Sequence, residues 1–177
     1  MKKEGKVKKI IQFFKNLFKA LPVIWNEGDV IYRDYLTKAF NRRYLDRIGK
    51  KRIKHFSVVA VDIADFKEYQ DAHGGPAADQ LLKRVVKILF ESPRVTDSVI
   101  RLGERADEFI IILPATERAS AERFINRINE QLSKEQAFLC HGISCWREGV
   151  SFEELIKEAD DELYRNKRLR KGGKRGL

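Results

Sequence analysis

The sequence predicts an α+β domain within the broader α/β class, a central antiparallel sheet flanked by helices in the order β-α-β-β-α-β. Three observations lead there. FSVVAVDI, residues 56–63, is a nearly unbroken apolar run of strand length that ends beside an acid. Residues 98–102 and 108–113 are two shorter apolar runs with a turn from Gly103 to Ala106 between them, which reads as a hairpin. Around these lie stretches whose apolar residues recur at helical spacing, so strand and helix alternate.

Taken in order, the first element is N-terminal. Ile10, Ile11, Phe13, Phe14, Leu17, Phe18 and Leu21 share one helical face, with Lys8, Lys9, Lys15 and Lys19 on the other. This is a basic amphipathic helix. Its lysines interrupt the apolar run too often for a membrane span or a signal peptide. It suits an anionic membrane surface, a second copy of itself, or the core of its own domain. Pro22 ends it, and NEGD at 26–29 is a turn.

Residues 34–50 then read as a helix, 56–63 as a strand buried on both faces, and 76–90 as a helix with Ala77, Leu81, Leu82, Val85, Val86 and Leu89 inward. After the hairpin come a helix over 117–132, a strand over 137–144 and a helix over 151–168. The core order is that of the ferredoxin-like split unit, a palm-type arrangement, with an extra helix at each end. The expected division is residues 1–30 as helix and linker, 31–171 as the domain, and 172–177 as a basic tail.

A chain of 177 residues accommodates one domain with a real core plus an appendage. At 43% hydrophobic and 35% charged residues, it has the composition of a globular protein rather than a disordered one. Charge is unevenly placed. Residues 1–54 carry 16 Lys/Arg against 5 Asp/Glu, residues 55–162 carry 13 against 21, and residues 163–177 carry 7 against none. Basic ends around an acidic middle suit anionic small-molecule or membrane partners at the ends and metal or solvent between them; no nucleic-acid partner is expected. Cys140 and Cys145 read as reduced thiols of a cytoplasmic protein. CHGISC lacks the fourth ligand and the spacing of a zinc site.

The acids of the middle region carry the chemistry. Asp62 ends the first strand, and the hairpin, which lies beside that strand in the split unit, delivers Asp107 and Glu108 next to it. Carboxylates that close repel one another unless a cation sits between them, so Mg²⁺ or Mn²⁺ and phosphoryl transfer are one reading. Solvated strand-end acids are the other.

Four segments resemble one family. DYLTKAFNRRYLD (34–46), VDIADFKEYQD (61–71), ADEF (106–109) and ADDELYRNK (159–167) resemble, in order and spacing, the motifs of the GGDEF (diguanylate cyclase) family. That family condenses two GTP molecules into cyclic di-GMP. The resemblance implies that Asp62 and the carbonyl of Ile63 hold metal, that Asp107 holds metal and assists the attacking hydroxyl, and that Glu108 supports a second metal position. It further implies that Lys67, Lys167 and Lys171 face the triphosphate and that Gln70 and Asp79 face guanine. A catalytic member would act as a homodimer, each protomer presenting one GTP.

The chain also departs from that pattern. Arg105-Ala106 stands where the family has Gly-Gly, in a turn two residues longer, and an arginine there should obstruct the substrate. Gln70 replaces an asparagine and Ala64 a second acid. Arg94 and Asp97, an R-x-x-D just before the hairpin, match the family's product-binding inhibitory site. Three functions therefore stand open: a degenerate member that binds cyclic di-GMP, a working cyclase, and a scaffold without nucleotide. The expected location is cytoplasmic, at the inner membrane face if the N-terminal helix lies on lipid.

Overall fold

The structure is a computed structural model that describes residues 27–51, 53–91, 97–103 and 106–174. The amphipathic helix expected over residues 8–21 lies outside them, as do Arg94 and Arg105. Tyr32–Leu177 forms one compact unit. Its sheet contains β1 (Phe56–Ile63), β2 (Ser98–Arg101), β3 (Glu108–Pro114) and β4 (Leu139–Cys145), ordered β2-β3-β1-β4. Every neighbouring pair is antiparallel, as in the split unit expected from sequence. The helices are α1 (Arg42–Gly49), α2 (Phe66–His73), α3 (Gly75–Glu91), α4 (Arg118–Ser133) and α5 (Phe152–Lys174).

FSVVAVDI is apolar on both sides because β1 lies inside the sheet with helices on both faces, and all eight of its residues are buried. Side chains alternate between faces along a strand. Val59, Val61 and Ile63 pack with Leu82 and Val85 of α3 and with Ile125 and Ile128 of α4. Val58 and Ala60 pack in a second core with Leu45 and Ile48 of α1 and with Leu155, Ala159 and Leu163 of α5. The second face has a consequence for chemistry: continuing the alternation, Asp62 belongs to the side of α5.

Helix α5 comes unusually close to the sheet at Gly142 of β4. A Cβ built there would lie 2.1 Å from the Ala159 carbonyl oxygen and 2.3 Å from the Leu163 nitrogen. Only a residue without a side chain permits this approach. Both sheet edges are covered. Phe40 N donates to Val99 O and Arg101 N to Phe40 O, each at 2.8 Å, along β2. On β4, Arg118 Nη1 donates to Ile143 O at 2.8 Å and Asn166 Nδ2 to His141 O at 2.9 Å. Carbonyls capped in this way are poor templates for a foreign strand.

Three expectations require correction. The helix placed over 34–50 begins only at Arg42, capped by the Asn41 side chain. Before it, the Asp34 carboxylate accepts from both the backbone and the hydroxyl of Thr37, and Lys38 takes a left-handed φ of 63°. Such local bonds compete with the helical ladder and win here. The first crossover holds two helices, not one, because Gly74 at φ 83° breaks the chain between α2 and α3; Ala78, rather than Ala77, is the buried alanine. Finally, α5 runs on to Lys174 instead of stopping at 168.

The close approach at Gly142 yields a test. Gly142→Ala must push α5 from the sheet and is expected to cost at least about 1–3 kcal/mol, the usual range for overpacking. Urea denaturation measures it, and wild-type stability in that variant would contradict the packing described.

Candidate active site

Asp62 is set by register. In the antiparallel pairs it stands opposite Glu108 of β3 on one side and Cys140 of β4 on the other. Residues paired across antiparallel strands share a face, so these three form a row across one end of the sheet. Along α5, Leu155, Ala159 and Leu163 face the core at four-residue steps. One more step reaches Lys167, whose Nζ donates to Asp62 Oδ2 at 2.7 Å. The next turn brings Arg170 onto Asp65, Nη1 to Oδ2, at 3.0 Å.

Around this row lies a cleft of about 250 Å³. Asp62, Ile63, Lys67, Asp107, Glu108, Lys167 and Lys171 all line it, so seven of the residues singled out from sequence meet in one place. Gln70 and Asp79 do not join them; they are exposed on α2 and α3. The structure adds Asp65, Glu68, Cys140 and Arg170 to the lining. Arg170 was accessible to sequence reasoning as the residue one turn beyond Lys167, whereas Cys140 becomes visible only when the β1–β4 register is known.

The acids strain against one another. Burial, then the charge of Asp62, pushes the Asp107 carboxyl above its ordinary range; Glu108 adds to this, and a backbone hydrogen bond and Lys167 oppose it. Burial alone would lower the Lys167 pKa, but the hydrogen bond and charge of Asp62, with Glu108 and Asp107 behind it, raise it instead. Burial raises the Cys140 thiol. Among the described residues, no three acid, histidine or cysteine side chains are already gathered as a metal cage. Magnesium seldom needs one: it retains waters and is held by one or two carboxylates plus phosphate oxygens. The crowded carboxylates at the cleft mouth fit that requirement in chemistry.

A buried ion pair holds the loop that carries Asp107. The Arg101 and Asp34 side chains are 1% and 5% exposed, and Nη1 lies 3.1 Å from Oδ1. Arg101 Nε also donates to Ala106 O at 2.9 Å, gripping the residue just before Asp107. Burial pushes the Asp34 carboxyl up, but its hydrogen bonds from Thr37 and Arg101 outweigh this and hold it below the usual range. Sequence reasoning does not pair them, since 67 positions separate them.

Away from this cleft, a second pocket of about 340 Å³ is lined by Asp97, Arg123, Arg127, Thr116, Ser120, Phe124 and Leu113. It contains the aspartate singled out in R-x-x-D. Arg123 and Arg127, spaced one turn apart on α4, were missed because nothing in their local sequence separates them from other surface arginines.

Two outcomes follow from these electrostatics. Asp34→Ala leaves Arg101 buried without its counter-ion and is expected to cost about 3–5 kcal/mol by urea denaturation; a variant as stable as wild type would contradict the clamp. A carboxyl raised in the folded state contributes stability below its ordinary pKa and loses it as pH rises through the folded value. Asp107→Asn escapes that loss, so it should melt above wild type at neutral pH, the gap closing below a pH of about 4. Thermal melts across pH check this, and an unchanged or lower melting point at neutral pH would contradict it.

Comparison with known proteins gives this geometry a lineage. Residues 31–173 match the family described as diguanylate cyclase, GGDEF domain. Diguanylate cyclase DosC of Escherichia coli (strain K12) is 30% identical over 179 residues, covering 92% of this chain and 37% of that protein. The chain thus spans little more than a third of that relative's length. Among solved structures, the coiled coil and GGDEF domain of DgcB from Caulobacter crescentus, in complex with c-di-GMP, has a TM-score of 0.73 at 18% identity and 95% coverage of each chain. The GGDEF domain of TpbB (or YfiN) from Pseudomonas aeruginosa has a TM-score of 0.67 at 26% identity, covering 77% of this chain and 89% of that one. The chain belongs to the diguanylate cyclase GGDEF domain family.

Proposed function

We propose that this domain acts in cyclic di-GMP signalling as a degenerate member of its family, binding cyclic di-GMP at the Asp97 pocket and synthesising it weakly or not at all. The observation that supports this most is the convergence of Asp97, Arg123 and Arg127 in one pocket. A guanidinium takes the O6 and N7 edge of guanine or a phosphate, and a carboxylate accepts from the N1 and N2 hydrogens. Arg94, three residues before Asp97, would supply a further guanidinium, as the family resemblance implies. The DgcB domain of the same fold carries this nucleotide.

The substrate side of the molecule is the weaker one. Asp62, Asp107, Glu108 and the Ile63 carbonyl would hold Mg²⁺ or Mn²⁺, which supplies electrophilic stabilisation in phosphoryl transfer. Lys67, Lys167 and Lys171 would balance a triphosphate, with Gln70 and Asp79 reading guanine. Against efficient turnover stand the bulk of Arg105-Ala106 in the turn and the longer Gln70. A working cyclase is the second reading, favoured by the burial and, after it, the neighbouring Asp62 charge that raise the Asp107 carboxyl; groups held away from their ordinary pKa in a cleft are characteristic of catalytic sites. It would require a homodimer. A scaffold without nucleotide is the third. No described helix is long and apolar enough to cross a membrane. A cytoplasmic site, with residues 8–21 touching the inner membrane face or a partner helix, completes the proposal.

Calorimetric titration with cyclic di-GMP tests the first reading. Wild type should bind, Arg127→Ala should weaken binding about tenfold or more, as for loss of a charged hydrogen bond, and Asp107→Asn should bind as wild type. GTP with Mg²⁺ should give little product. Turnover abolished by Asp107→Asn would establish the cyclase instead, and silence in both assays would leave the scaffold.

A further inference from the structure

One oxygen of the Asp62 carboxylate, the group that would hold a divalent cation, is already engaged. Lys167 Nζ lies 2.7 Å from Asp62 Oδ2, and the two side chains are 32% and 6% exposed. The carboxylate is the fixed, buried partner, and the ammonium reaches it from solvent on a four-carbon stem. Arg170 makes a parallel bond to Asp65, with its guanidinium 5.5 Å from the Phe138 ring centre. Helix α5 is therefore fastened at two points, to the end of β1 and to the turn after it, and the first lies beside Asp107 and Glu108. An ammonium and a divalent cation held on the same carboxylate, the metal about 2.1 Å from its oxygen ligand, repel each other at close range, so each weakens the hold of the other.

On this geometry we infer that Lys167 is an internal competitor for the metal position, occupying Asp62 until an anionic triphosphate draws the ammonium away. This rests on the nucleotide reading of the cleft given above. Metal and nucleotide then bind as coupled ligands: the phosphates release the lysine, and the lysine's departure opens Asp62. Lys167 thereby changes from a counter-ion of the protein to a counter-ion of the substrate. The consequence has an unusual sign. Neutralising a residue that assists substrate binding should improve metal binding by the free protein.

Manganese titration followed by electron paramagnetic resonance reads this directly, using the full chain without nucleotide. Lys167→Met and Lys167→Gln are expected to bind Mn²⁺ on the order of tenfold more tightly than wild type, within the usual range of coupling between ligands. Lys167→Arg should remain as weak as wild type, and adding Asp62→Asn to Lys167→Met should remove the gain. A parallel arm gives wild type Mn²⁺ with an unhydrolysable GTP analogue. If that complex forms but neither neutral variant gains affinity, the competitor role is overturned and the nucleotide reading stands. If no arm binds Mn²⁺, both are overturned.

Discussion

The register of β1 against β3 is the constraint on which the site depends. Asp62 faces Glu108 only because Phe56 pairs with Pro114 and the ladder runs without a bulge between them. A slip of one residue would exchange the two apolar faces of β1 between its two cores and carry Asp62 away from α5. The same apolar alternation that fills both cores therefore aims the acid. Packing and chemistry are fixed by one pattern, and substitutions in the strand interior should disturb both.

Around that register the molecule holds two charged pairs under different conditions. Arg101 and Asp34 are almost wholly buried, and further hydrogen bonds from Thr37 and to Ala106 satisfy them. A pair of this kind is costly to break singly, and it joins the segment before α1 to the loop carrying Asp107. Lys167 and Asp62 sit at the cleft, where one partner reaches solvent. The first pair is architecture. The second is the one that the proposed reading exchanges for a ligand, and like charges crowd around it.

The sequence made the sheet legible because its strands are short apolar runs bounded by turns, and because β1 is buried on both faces. The long helices followed from their spacing. The DYLT segment was misread because its apolar residues fit a helix while Asp34 and Thr37 bond locally, which periodicity does not register. The break at Gly74 needed a backbone angle. In the site, residues within a motif were accessible, and those joined by tertiary contact were not: Cys140 enters through a strand register, Arg101 through a partner 67 positions away, and Arg127 through a pocket.

In the proposed reading, folding turns strand-end acids and a cationic helix into a cleft that holds a metal-bound guanine nucleotide, however slowly turnover follows. Anomalous diffraction from crystals grown with Mn²⁺ and an unhydrolysable GTP analogue locates that metal. A manganese peak bonded to Asp62 and Asp107, with Lys167 moved onto the phosphates, is the predicted result. The GTP analogue bound outside this cleft, or a cleft still closed by the Lys167–Asp62 pair under saturating analogue, would contradict it.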